Sequence, residues 1–200
     1  MFIDYLTLML VNMAAGLGVL ACYLWAGRSK IWCAGLAVAG ALALAGGLHM
    51  TFTWPLPGPF NIAFGELSAL FGAVMLSAAL AVGFGWSLQA VGLYATLPSL
   101  VAILVGIRIW GLGLTNSPPM AAVGFTLTGA GGILTSLSFI TAGHRGLARL
   151  AAVVLILAAL LWAFVGSAAY WTHLKSFGDY QPPLMIQATA QPSAATEPAE

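Results

Sequence analysis

The sequence predicts an all-α integral membrane protein: a six-helix transmembrane bundle with short loops and a flexible polar C-terminal tail. Three observations carry that expectation. Of 200 residues, 61% are hydrophobic and only 6% are charged, whereas soluble chains run near 25% charged. The apolar residues gather in six runs, each close to the roughly 20 residues a helix needs to cross a hydrocarbon core of about 30 Å. Those runs lack two-residue alternation and are rich in Leu and Ala, so they do not read as barrel strands. Six Lys and Arg against five Asp and Glu leave a net charge of +1, which offers no basic face for nucleic acid.

The first run, residues 3–27, opens with Asp4 and stays apolar. It lacks the positively charged start and short core of a secretory signal. Asn12 lies inside it. The second run, 32–54, carries His49 and ends at Trp54. A loop with Pro55, Pro57, Gly58 and Pro59 follows; it cannot be helical and is too apolar to dissolve in water. It reads as a cap folded back on the bundle mouth, with Asn61 as the N-cap of the third run, 62–86. Glu66 falls in the first turns of that run, where a helix N-terminus favours a carboxylate.

The fourth run, 90–112, holds Arg108 about one turn from its end. The fifth, 120–143, contains Gly129, Gly131 and Gly132, read as tight packing rather than local unwinding. The sixth spans 147–171, so the chain divides into a six-span domain, 1–171, and a disordered extracytoplasmic tail, 172–200. Ala43 with Gly47, Gly124 with Thr128, and Gly132 with Ser136 keep the spacing at which small residues let helices approach in lipid. Spans two and five are therefore expected at the centre. Cys22 and Cys33 are too few for a disulfide framework and read as small apolar residues.

Charge sets the expected direction. Arg28 and Lys30 follow the first span, and Arg145 and Arg149 lie between the fifth and sixth. An even number of crossings puts both loops on one side. The positive-inside rule makes that side cytoplasmic, with both termini outside a prokaryotic inner membrane. Trp32, Trp54, Trp86, Trp110 and Trp171 fall near span ends, where interfacial aromatics sit.

Three stretches carry a likeness to a known family: residues 1–13, beginning Met1-Phe2-Ile3-Asp4-Tyr5; residues 47–66, with His49, Trp54, the three prolines and Glu66; and residues 106–115, with Arg108 and Trp110. Together they resemble the uncharacterised prokaryotic membrane proteins of domain-of-unknown-function family 981. The likeness covers roughly residues 1–145. It implies a multi-pass helical protein and no particular activity.

Ionisable groups inside a span cost several kcal/mol unless paired or wetted, so each is a candidate. On the expected topology Asp4, His49, Glu66 and Arg108 come from four different spans to one outer layer. Asn12, Asn61 and Trp54 flank them, and His173 lies within reach. Three readings follow. In the first, Glu66 and Arg108 pair inside a purely structural network. In the second, the set lines a small channel or transporter for a small neutral or protonatable solute. In the third, the protein is a membrane subunit of a redox or metal-handling complex. There His49 and His173 could ligate haem, or His49, Glu66 and His173 could hold copper or zinc. No cofactor is expected outside that third reading. No hydrolase, nucleotide-binding or metalloprotease motif occurs, so no catalytic residue is assigned. The expected partners are the lipid bilayer and either further copies of the chain or other subunits.

Overall fold

Each apolar run becomes a helix whose ends are set by local chemistry. Asp4 caps α1 (Tyr5–Trp25) by accepting the Thr7 amide at 3.4 Å. The chain then turns at Gly27 and Arg28, whose φ angles are 86° and 65°. Ser29 caps a single 3₁₀ turn, Lys30–Trp32, that leads into α2 (Cys33–Thr53). A π-helical segment, Asn61–Glu66, opens α3 (Leu67–Phe84). Left-handed glycines, Gly85 and Gly113, close α3 and α4 (Gln89–Leu112). Pro118 and Pro119 start α5 (Pro118–Ile140), where a missing amide proton costs nothing. α6 (Arg145–Ser176) is the longest.

The computed structural model describes residues 4–141 and 144–178. Among the described residues there is no strand, and six helical segments are long and apolar enough to cross a membrane. Five of the expected spans match within a few residues. The sixth runs on through Thr172–Ser176, past the expected end at Trp171. Hydroxyls of Thr172 and Ser176 bond back to carbonyls one turn earlier, and His173 docks on α1. Residues 179–200 of the expected tail, and Gly143 of the fifth run, lie outside the described residues.

The helices form a ring in chain order, with α6 returning to α1. No helix runs down the middle. α2, expected at the centre, is among the more exposed, and α1 is the most buried. The glycines explain this, because their small faces are spent on neighbouring pairs. A Cβ on Gly40, Gly47 or Gly72 would strike backbone across the α2–α3 contact. Across α4–α5, a Cβ on Gly129 would strike the Ser99 carbonyl and one on Gly132 the Ser99 side chain, with Gly106 close against Ala122 and Phe125; Gly124 and Gly131 receive Trp162 and Leu155 of α6. Gly166 fits against Leu10 and Val11 of α1, and Gly35 against Val19. The glycines at 129, 131 and 132 therefore pack inside a continuous helix, as expected.

One neighbouring pair has no such glycine contact. α3 and α4 are consecutive but barely touch. Between them lies an interior chamber.

Candidate functional site

The polar residues expected in one layer separate into distinct groups. At the end of the ring that carries Asp4 and the Trp54 loop, the Tyr5 hydroxyl sits 2.5 Å from His49 Nδ1, with the two rings stacked at 5.6 Å. Thr53 Oγ1 lies 3.5 Å from the same nitrogen. His173 Nδ1 lies 2.6 Å from Asp4 Oδ2 and 3.0 Å from Thr7 Oγ1. Burial pushes the Asp4 carboxyl up, but hydrogen bonds from His173 and Thr7 outweigh it and leave the group below its ordinary value. These contacts clasp α1 to α2 on one side and to α6 on the other. Carboxylate and hydroxyl meet the same imidazole nitrogen, so the trio is not a relay in which a histidine links acid and nucleophile through its two nitrogens.

Asn12 donates to the Ala39 carbonyl at 2.9 Å, joining α1 to α2. With Tyr5 and His49 it lines a small groove of about 110 Å³. Asn61 is fully buried but is not the side-chain cap of α3. Its carboxamide turns back onto Leu56, accepting the amide at 3.1 Å and donating to the carbonyl at 2.5 Å. A proline-rich loop supplies few backbone donors, so one side chain satisfies both groups of Leu56. Leu56 and Phe60 then anchor the loop on the core, while Trp54, at φ 47°, stays half-exposed.

Glu66 and Arg108 do not join this set. Both are exposed, and the one ion pair among the described residues is Asp4 with His173. The expected Glu66–Arg108 pair is therefore absent. The reason is the open α3–α4 seam, since these residues lie on those two helices. The same separation leaves no group of three His, Cys, Asp or Glu side chains among the described residues. His49, Glu66 and His173 thus do not assemble into a metal site, and His49 and His173 engage different partners.

The interior chamber went unnoticed in the sequence. It measures about 100 Å³ and is walled by α1, α3, α4, α5 and α6, with Phe64, Phe71, Met75, Phe125 and Leu155 prominent. Its lining is almost wholly apolar. Five hydroxyl side chains interrupt it: Ser68, Ser99, Thr128, Thr135 and Ser136. Three of them donate to carbonyls one turn back, Ser99 to Ala95, Thr128 to Gly124 and Thr135 to Gly131. Ser136 is different: it is 1% exposed and its Oγ has no partner. A buried hydroxyl with no partner costs about 1–3 kcal/mol, so its retention calls for a reason. Pro98 also lines the chamber from inside α4, where it removes one backbone hydrogen bond beside the seam. Pro98 in the middle of an apolar run, with Ser99 next to it, was the readable signal.

Comparison with known proteins adds one finding. The sequence model of a family described as "Protein of unknown function (DUF981)" matches residues 1–176, which extends the likeness through the last helix. No curated protein and no solved structure matches.

Proposed function

The chain belongs to that family of unknown function, and we propose that it is a membrane-embedded carrier for a small, mostly apolar molecule with one polar end, admitted from the lipid phase between α3 and α4. The unpartnered Ser136 hydroxyl in the wall of an apolar chamber carries this reading. It keeps the transporter class expected from sequence but moves the substrate compartment from the outer polar layer to the ring interior. Apolar walls favour a ring or short chain, and an engineered apolar cavity of roughly 150 Å³ binds benzene. The Ser136 hydroxyl supplies one directed hydrogen bond, which orients the polar end. The seam supplies the route, because parting α3 from α4 breaks no close glycine contact. On this reading the basic loops face the cytoplasm of a prokaryotic cell and both termini face outward.

Hexan-1-ol is a suitable probe for the full chain in neutral detergent. A saturable rise in melting temperature is expected, since a ligand bound only to the folded state stabilises it by about 2.7 kcal/mol at 100 times Kd. Ala102→Phe, which fills the chamber, should abolish the rise, and Ser136→Ala should weaken hexanol binding about tenfold. An equal rise in wild type and Ala102→Phe refutes the proposal.

A second reading, a subunit of a membrane complex, is favoured by Glu66 and Arg108. Both are exposed on helices of membrane-spanning length and have no ion-pair partner among the described residues. A neighbouring chain, another copy included, would neutralise them. Cross-linking in native membranes tests this: an assembly lost in Glu66→Gln/Arg108→Gln supports it, and a monomer throughout removes it.

A further inference from the structure

The opposite end of the ring carries a second site. Arg28, His144, Arg145 and Arg149 line a cleft of about 540 Å³ between the start of α6 and the end of α1. No acid balances them, because Asp4 and Glu66, the two acids among the described residues, both stand at the other end. Arg28 is held in place by the Ser138 carbonyl at 2.7 Å and lies over the Phe139 ring. Arg149 lies over Trp25 at 5.8 Å. The N-terminus of α6, where His144 makes no side-chain cap, lies at this cleft.

A purely apolar groove of about 390 Å³ adjoins this cleft, and Trp25 and Ala26 line both. It runs along α1 and α6 past Cys22, Ala152 and Ile156. Trp32 forms part of its wall, and the buried Trp32 indole Nε1 has no acceptor among the described residues. Basic headroom and a greasy furrow thus meet at one tryptophan. That is the shape and polarity of one lipid molecule.

We propose that the α1–α6 cleft binds the phosphate group of an anionic phospholipid, with an acyl chain in the adjoining groove. Arginine suits this role because its planar fork meets phosphate oxygens two at a time. Basic pockets between membrane helices are known to take such headgroups. The groove makes lipid the favoured source of the phosphate over a soluble anion, which would use the cleft alone. This site is separate from the chamber and does not depend on the carrier reading.

Native mass spectrometry of the full chain in neutral detergent tests the assignment, with dioleoylphosphatidylglycerol and dioleoylphosphatidylcholine supplied in equal amounts. At least tenfold preferential retention of the glycerol lipid is expected. Arg145→Gln/Arg149→Gln should bring the ratio near one, Arg145→Lys/Arg149→Lys should keep most of it, and Lys175→Gln at the other end should leave it unchanged. Circular dichroism and melting in lipid-free detergent confirm that each variant is folded, and Arg149→Gln alone serves if the double variant is not. Inorganic phosphate displacing the lipid while itself raising the melting temperature equally would assign the phosphate site to a soluble anion, overturning the lipid. Equal retention of both lipids, or full retention by the folded double glutamine variant, overturns the site altogether.

Discussion

Trp162 gives the sharpest test of how this ring is held together. It is the largest fully buried side chain, at 1% exposure. Its Nε1 donates to Thr128 Oγ1 at 2.9 Å, and it meets Phe125 edge-on at 5.3 Å. A Cβ placed on Gly124 would lie 2.5–2.8 Å from three atoms of its ring, so Gly124 is the socket for the indole. In lipid the apolar transfer term largely vanishes, because the alternative surroundings are equally apolar. Trp162→Ala then loses mainly dispersion: roughly 20 unreplaced contacts at about 0.1–0.2 kcal/mol each give about 2–4 kcal/mol. Trp162→Phe keeps most of the packing and loses one interhelical hydrogen bond, about 0.6 kcal/mol. Gly124→Ala collides with the ring and should cost about 1–3 kcal/mol. In the Trp162→Ala background, however, the same methyl enters empty space and should be nearly neutral or stabilising. Unfolding in mixed micelles, followed by circular dichroism, measures all four corners of the cycle. Additive costs would show that the indole does not rest on Gly124, and the packing argument for α5–α6 would fall with it.

Three further outcomes are expected. Gly47→Leu should destabilise by about 3 kcal/mol or more, because the new side chain meets backbone of α3 that cannot rotate away; Gly18→Leu, with open space around its Cβ, is the matched control in the same unfolding assay. The Asp4 contribution to stability is present at neutral pH and lost as pH falls through its lowered folded value, below about 3.9. Melting temperatures from pH 6 to 3 should therefore drop more steeply for wild type than for Asp4→Asn, and parallel profiles would count against the clasp. Asn61→Ala orphans the Leu56 amide and carbonyl, so a loss of about 2 kcal/mol is expected, with faster proteolysis in the loop around Pro57.

The six helices were legible because lipid leaves the backbone no alternative to internal hydrogen bonds, so length and apolarity suffice. Helix ends fall within a few residues of the run limits, where Asp4, Gly85 and Pro118 supply the stop or start signal. Which polar groups would meet was less so. His49 found Tyr5, a residue with an unremarkable place in an apolar run, and His173 found Asp4 only because α6 is longer than its hydropathy indicates. Depth in the bilayer follows from counting residues. Azimuth around the ring does not, because it depends on which helix faces pack, and Glu66 and Arg108, expected in one layer, do not pair. Ser136 fits the small-residue spacing with Gly132, but Gly132 meets Ser99 of α4, while Ser136 is among the residues lining the chamber and its buried Oγ has no partner among the described residues.

The placement of glycine also decides where the ring can open. Between helices in lipid, close approach supplies the attraction that water supplies in a soluble core. Every neighbouring pair here except α3–α4 approaches over at least one glycine. In α3, Gly72 and Gly83 face α2, as does Gly65 just before it; in α4, Gly92 and Gly106 face α5, and Gly111 has open space around it. Toward the chamber α3 presents Phe71, Val74 and Met75, while α4 presents Val91 beside the smaller Ala95, Pro98, Ser99 and Ala102. No glycine contact draws these two backbones together, and the chamber lies where they stay apart. Parting α3 from α4 costs little, whereas parting any other pair gives up interlocked backbone. On the carrier reading proposed above, the seam without glycine contacts is where the ring would open.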